Sequence, residues 1–356
     1  MWPETEVTTK LGIRYPIIQA GMAGGVTTPE LVAAVSNAGG LGTLGAGYMS
    51  PEEMRKGIQE IRALTTKPFA VNLFIPQPVV ENPKIIEEMN HHLDFYRQQL
   101  HLTKLSPEIP LFLDAFPRQI EVILSEEVPV FSFTFGALPQ EILNKMKNAE
   151  ITLIGTATTV EEGVYLEKSG VDLIVAQGWE AGGHRGTFLS PVAEANLGTM
   201  VLVPQLVNKV GIPVIGAGGI MDARGIAASL HLGAHGVQMG TAFLACKESG
   251  AHRTYKEALL YRKKGETTEI TSVFSGRAAR GVKNTFMAEM EDYPGQVPAY
   301  PIQHYLTADI RSSAARQEKI EYMSLWAGQG FSLCQERTAR ELMKGWVQET
   351  AQLFHT

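Results

Sequence analysis

The chain has 356 residues, more than two typical domains of roughly 150, although a single α/β barrel commonly runs to about 250. Hydrophobic residues make up 44% and charged residues 19%, which excludes disorder and coiled coil, and a net charge of −6 lacks the basic footprint of a nucleic-acid binder. The two cysteines, Cys246 and Cys334, have no Cys or His at metal-ligand spacing around them. Neither a disulfide framework nor a zinc site is expected. No apolar run approaches the 18 or so residues of a membrane span, and residues 1–10 have no apolar leader core. The chain reads as soluble and cytoplasmic, with no membrane partner.

Taken in chain order, short apolar runs at 16–20, 41–44, 69–73, 129–133, 151–154, 172–176, 213–215 and 236–239 predict eight strands. Helical patterns separate them, the signature of βαβ units and a parallel sheet. Helix starts are marked by Thr28 with Pro29, by the capping box from Ser50 to Glu53 and by a second one from Thr159 to Glu162. The expected fold class is α/β, a (β/α)8 TIM barrel. The competing doubly wound sheet would open on Gly-x-Gly-x-x-Gly, which the glycines at 21, 24 and 25 do not match. Two lengths exceed a barrel's needs. The connection at 76–127 predicts a helical insertion beginning near Asn82 and Pro83, and residues 246–356 predict a smaller, mainly helical region closing the barrel mouth. Residues 1–245 are the expected barrel.

Chemistry in such barrels gathers at the C-terminal ends of the strands, with phosphate often held after strands seven and eight. Gly216, Ala217, Gly218 and Gly219 follow the seventh strand, and Gln238, Met239, Gly240 and Thr241 end the eighth. Unobstructed backbone amides beside a helix start form an anion cradle. The sixth strand empties into Gln177, Gly178, Trp179, Glu180, Ala181, Gly182, Gly183, His184, Arg185 and Gly186, where paired glycines let backbone approach a flat ligand. His184 is the candidate general base near neutral pH, with a structural hydrogen-bonding role as the alternative. Glu180 and Arg185 could orient it, bind an anionic substrate or form a surface ion pair. Asn72, Gln177 and Gln19 offer amides that suit a polar heteroaromatic ring, and Met22 offers a soft apolar face or a core contact. Together these features call for a phosphorylated planar cofactor, and flavin mononucleotide fits better than a dinucleotide.

The sequence resembles the nitronate monooxygenase family, formerly the 2-nitropropane dioxygenases, over nearly its whole length. The resemblance rests on residues 19–25 (Gln-Ala-Gly-Met-Ala-Gly-Gly), 27–29 (Thr-Thr-Pro), 35–41 (Val-Ser-Asn-Ala-Gly-Gly-Leu) and Gly163 to Gly170 leading into 175–178 (Val-Ala-Gln-Gly). It continues through 180–186 (Glu-Ala-Gly-Gly-His-Arg-Gly), 216–219 and 238–241. It implies an FMN barrel with a smaller helical domain, FMN being held by Met22, Asn72, Gln177, Gly182, Gly219, Gln238, Met239, Gly240 and Thr241, and His184 as the active-site histidine. The implied reaction takes a small alkyl nitronate, such as propionate 3-nitronate, and O2 to a carbonyl compound and nitrite through a flavosemiquinone, without nicotinamide. Detoxification is the role such chemistry suggests. The segments 275–280 and 326–329 are lid candidates, and a homodimer is left open. Two alternatives stay open: a flavin-dependent enoyl-acyl-carrier-protein reductase, which shares the Glu-Ala-Gly-Gly-His core, and a flavin-binding protein without turnover.

Overall fold

The computed structural model describes residues 2–79, 82–102, 112–261 and 265–355. Its strands are β1 (Ile17–Gln19), β2 (Gly42–Gly45), β3 (Phe69–Phe74), β4 (Val130–Thr134), β5 (Thr152–Ala157), β6 (Leu173–Gln177), β7 (Gly183–His184), β8 (Val214–Ala217), β9 (Gly236–Met239), β10 (Thr268–Thr271) and β11 (Ala279–Val282). Eight of them form one parallel sheet in the order β1-β9-β8-β6-β5-β4-β3-β2. The two edges meet through the parallel bridge between Ile18 and Leu41. Leu41 N donates to Ile17 O at 3.0 Å and Gln19 N to Leu41 O at 2.9 Å. Each expected barrel strand is present, and β5 runs three residues further than expected because its ladder to β6 continues to the Ala157–Ala176 pair.

Side chains alternate across a strand, and this period-two parity layers the barrel interior. Ile18, Ala70, Val130, Ile154, Val175 and Ile215 form one apolar core, closed from below by Val7 and Leu11 of the helix Glu6–Leu11. Two residues further along, the same inward parity places Asn72, Ser132, Thr156, Gln177 and Ala217 on the cavity at the opposite end. Packing therefore fills the lower barrel and polarity marks the upper mouth.

The helix starts behave as the local chemistry requires. Thr28 Oγ1 accepts from Leu31 N at 3.1 Å with Pro29 opening the helix, and Ser50 with Glu53 makes the full capping box. The box expected from Thr159 to Glu162 is only half formed. Thr159 caps the helix, but the buried Glu162 carboxylate turns away to accept from Thr158 N at 2.7 Å and from Phe188 N and Leu189 N. It thereby fastens the loop that carries His184.

The insertion helix Pro83–Gln99, capped by Asn82, packs its buried Met89, Leu93 and Tyr96 into a second apolar core with residues from 244–331. Arg97, buried within this layer, donates to Asp309 at 2.8 Å and to Leu306 O at 3.0 Å. The expectation grouped residues 246–356 in one covering region. The last helix, Ala339–His355, instead sends Leu342, Met343 and Trp346 into a barrel core with Leu31, Val35 and Ile226, because its apolar stripe matches the outward faces of Pro29–Asn37 and Ala223–His231. A three-stranded sheet, β10-β11-β7, was not expected either. Among the described residues no helix is long and apolar enough to cross a membrane, and no group of His, Cys, Asp or Glu could hold a metal ion.

Candidate active site

A cavity of about 640 Å³ opens at the C-terminal end of the barrel strands and is roofed by the second apolar layer. One end is built of backbone. Gly218 (φ 113°) and Gly219 (φ 70°) lie in the left-handed region that only glycine adopts freely. The amides of Gly218, Gly219, Gly240 and Thr241 donate to no backbone carbonyl among the described residues. All four residues line the cavity, and a cluster of free N–H groups at a helix start suits a phosphate. Glu180 does not compete for that space. Its carboxylate accepts from Thr199 N at 2.8 Å and Thr199 Oγ1 at 2.9 Å, bracing Gly218 from behind.

The other end centres on His184. Its backbone is clamped in the short strand β7, opposite Ala279 of β11. The Gln177 side chain adds a second clamp, Nε2 donating to His184 O at 3.1 Å while Oε1 accepts from Gly186 N at 2.9 Å. His184 Nε2 lies 2.8 Å from Ser275 Oγ. The rings of Phe135, Tyr300 and Trp326 stand 5.9, 5.7 and 5.6 Å away, which removes water from the imidazole. Burial, reinforced by the positive charges of Arg277 and Arg311, pushes its pKa down to about 3. His184 is thus not poised near neutrality as expected from its ordinary value. It is a neutral imidazole throughout the physiological range. The Ser275 hydroxyl can donate to Nε2 or accept from it, so Nδ1 can present either a proton or a lone pair to the cavity.

The expected site residues divide. Met22, Asn72, Gln177, Gly182, His184, Gly219, Gln238, Gly240 and Thr241 all line the cavity. Asn72 Nδ2 donates to Ser132 Oγ at 2.9 Å. A side chain on Gly182 would strike Gly328 N at 2.4 Å, so glycine is required for the 326–329 segment to close over it. Met239 is different. Parity turns its side chain outward into the core between strands and helices, leaving only its backbone near the mouth. Gln19 is likewise not a cavity residue. Fully buried, it accepts from Thr43 N at 3.1 Å and donates to Thr43 O at 3.2 Å, stitching β1 to β2. Arg185 does not face the cavity. Its guanidinium donates to the carbonyls of Gly178 (2.6 Å), Gln177 and Ala195 (both 3.2 Å) beneath the Trp179 ring.

Several residues escaped the sequence reading. Tyr48 lines the cavity and stacks on His304 with ring centroids 4.1 Å apart. Phe135 holds a positive φ of 78°, strained for an aromatic residue, with the Arg277 guanidinium 3.8 Å over its ring and Gln77 Nε2 donating to its carbonyl at 2.7 Å. Arg311 also reaches the cavity. The helix-like spacing of His304, Thr307 and Arg311 was the available signal, although the structure divides it between the helices Ile302–Leu306 and Ala308–Arg316, joined at Thr307.

The position of this cavity, with a phosphate-type cradle at one end and a desolvated histidine at the other, makes the chain a barrel enzyme. Known proteins make that class specific. The nitronate monooxygenase family model matches residues 4–349. A probable nitronate monooxygenase of Staphylococcus haemolyticus is 47% identical over 357 residues, 99% of each chain, and one of Staphylococcus aureus is 46% identical over 356 residues with the same coverage. Among solved structures, a nitroalkane oxidase from Streptomyces ansochromogenes superposes with TM-score 0.91 at 39% identity, covering 98% of this chain and 99% of that one. FabK from Thermotoga maritima follows at TM-score 0.76 and 31% identity, covering 99% and 97%. The chain belongs to the nitronate monooxygenase family, and is an oxidoreductase.

Proposed function

We propose that the protein is an FMN-dependent nitronate monooxygenase that converts alkyl nitronates, such as propionate 3-nitronate, and O2 to a carbonyl compound and nitrite. The observation that carries this reading is the set of free amides at Gly218, Gly219, Gly240 and Thr241 sharing one cavity with the desolvated His184. Those amides would hold the phosphate. Asn72, Gln177 and Gln238 would meet the polar edge of the ring system, with Met22 and Gly182 against its face. When bound, FMN supplies one-electron chemistry between the nitronate and dioxygen.

The chain's own residues select and place the substrate. The Arg277 charge, which adds to burial in holding His184 neutral, also stabilises an anion at the reacting end, which favours a nitronate over a neutral nitroalkane. His184 Nδ1 can donate to a nitronate oxygen, or accept the α-proton of a neutral nitroalkane as a weak base. Phe74 and Trp326, with Phe135 and Tyr300 behind them, wall the reacting end against water. The cover built from the insertion helix and residues of 244–331 would act as the lid.

The test is to record the visible spectrum of the purified protein, add propionate 3-nitronate and oxygen, and follow nitrite. A flavin spectrum with oxygen-dependent nitrite release is expected. A protein that stays colourless after incubation with FMN refutes the cofactor assignment. Bleaching by NADH without nitrite would favour the reductase reading.

A further inference from the structure

Among the described residues, the cavity lining carries one permanently charged side chain, Arg311, and no Asp, Glu or Lys. Other arginines nearby are committed. Arg185 is spent on three carbonyls, Arg277 donates to the carbonyls of Thr187 and Arg185, and Arg280 donates to those of Trp179 and Thr268. Arg311 is held along one edge only. Its Nε donates to Thr307 Oγ1 at 3.1 Å, and its Nη2 donates to His304 O at 2.7 Å and to His304 Nδ1 at 3.2 Å. No hydrogen bond joins Nη1 to another described residue, and Nη1 is not among the buried polar atoms left without a partner. It is therefore an accessible, unpaired donor on a residue that lines the cavity. The carboxylate on its own helix, Asp309, is taken by Arg97 at 2.8 Å, and no carboxylate among the described residues forms an ion pair with Arg311.

The guanidinium sits a short distance from the reacting end. The Tyr300 ring lies between His184, at 5.7 Å, and His304, at 6.4 Å, and His304 in turn accepts from Arg311. The amide cradle belongs to different loops, at 218–219 and 240–241. Asp309 acts on Arg311 only at longer range, and a fixed guanidinium with a free nitrogen and no ion-pair partner is a receptor for an oxyanion.

We propose that Arg311 is the specificity-determining residue of the substrate subsite, binding an acid group carried by the substrate while the nitronate carbon lies at His184. This rests on the nitronate reading for the reacting end, but the receptor itself is a property of the cavity. Propionate 3-nitronate has such a group. Propyl 1-nitronate replaces its carboxylate with a methyl group and does not.

The experiment compares wild type, Arg311→Met and Arg311→Lys on both nitronates, alongside flavin content and calorimetric binding of succinate to the holoenzyme. Losing a charge-assisted contact should lower kcat/KM for propionate 3-nitronate about 10- to 100-fold in Arg311→Met. The change should fall in KM, propyl 1-nitronate should shift less than about threefold, and Arg311→Lys should recover part of the loss. Flavin content should stay constant and succinate binding should weaken in parallel. An equal loss on both nitronates, or no loss, overturns the proposal. Loss of flavin in Arg311→Met would move Arg311 to the cofactor and overturn it as well. If wild type turns over neither nitronate, the proposed function fails; succinate binding that Arg311→Met abolishes would then still support the receptor, and unchanged binding would end it.

Discussion

Replacing His184 by Asn separates the electrostatics of the cavity from its chemistry. In the folded protein the imidazole takes up a proton only near pH 3, against 6.5 ordinarily, so between those values the unfolded chain binds a proton that the native state does not. Native stability contributed at this position is therefore intact above pH 6.5 and is lost as the pH falls toward 3. With these two values the penalty is about 0.1 kcal/mol at pH 7.5, about 2 kcal/mol at pH 5 and about 3 kcal/mol at pH 4. Asn carries no proton and escapes it. Urea unfolding of holoenzyme and of His184→Asn at pH 7.5, 6, 5 and 4 should show the variant gaining on wild type by about 2 kcal/mol between pH 7.5 and 5, whatever its absolute stability. Parallel stability profiles would refute the reasoning, because they would mean that His184 protonates in place and is neither desolvated nor repelled by Arg277 and Arg311.

The same variant should keep its flavin, since the glycine loops are untouched, and lose turnover by about 100-fold or more; full activity on every nitronate would remove His184 from the mechanism. Gly219→Val forces a branched residue to a φ of 70° with its Cβ 3.3 Å from the Glu180 side chain, so flavin absorbance per protein should fall, and unchanged stoichiometry would place the phosphate elsewhere. Ser275→Ala removes the partner of His184 Nε2 at 2.8 Å and should cut kcat about 5- to 50-fold without flavin loss, whereas an unaltered kcat would show that the aromatic walls alone orient the ring. Glu162→Gln breaks a buried carboxylate that accepts from Thr158, Phe188 and Leu189 and should cost about 2–4 kcal/mol in urea unfolding; a loss under 0.5 kcal/mol would contradict its role in anchoring the His184 loop.

Local rules made much of the scaffold legible in advance. Alternating strand and helix patterns, the caps at Thr28 and Ser50, and glycines in the seventh and eighth βα loops are encoded within a few residues of where they act. Together they specified the barrel, its catalytic rim and the placement of His184 and the amide cradle. Side-chain direction was harder. Met239 reads as a neighbour of the cradle by position, yet the two-residue period of a strand turns it into the core, and Gln19 and Arg185 look chemical in sequence but satisfy backbone groups at a seam and beneath a loop. What only the tertiary structure decided are the contacts between segments far apart in the chain. Ser275 meets His184 across 91 residues, β11 clamps β7, and the helix Ala308–Arg316, pinned to His304 of the preceding helix, lowers the Arg311 guanidinium into a mouth built from residues 20–241. Electrostatics followed from that assembly. Burial is a property of everything packed around a group, so the shift that keeps His184 neutral, and the diversion of Asp309 to Arg97 that leaves Arg311 without an ion pair, exist only once the roof is closed over the barrel.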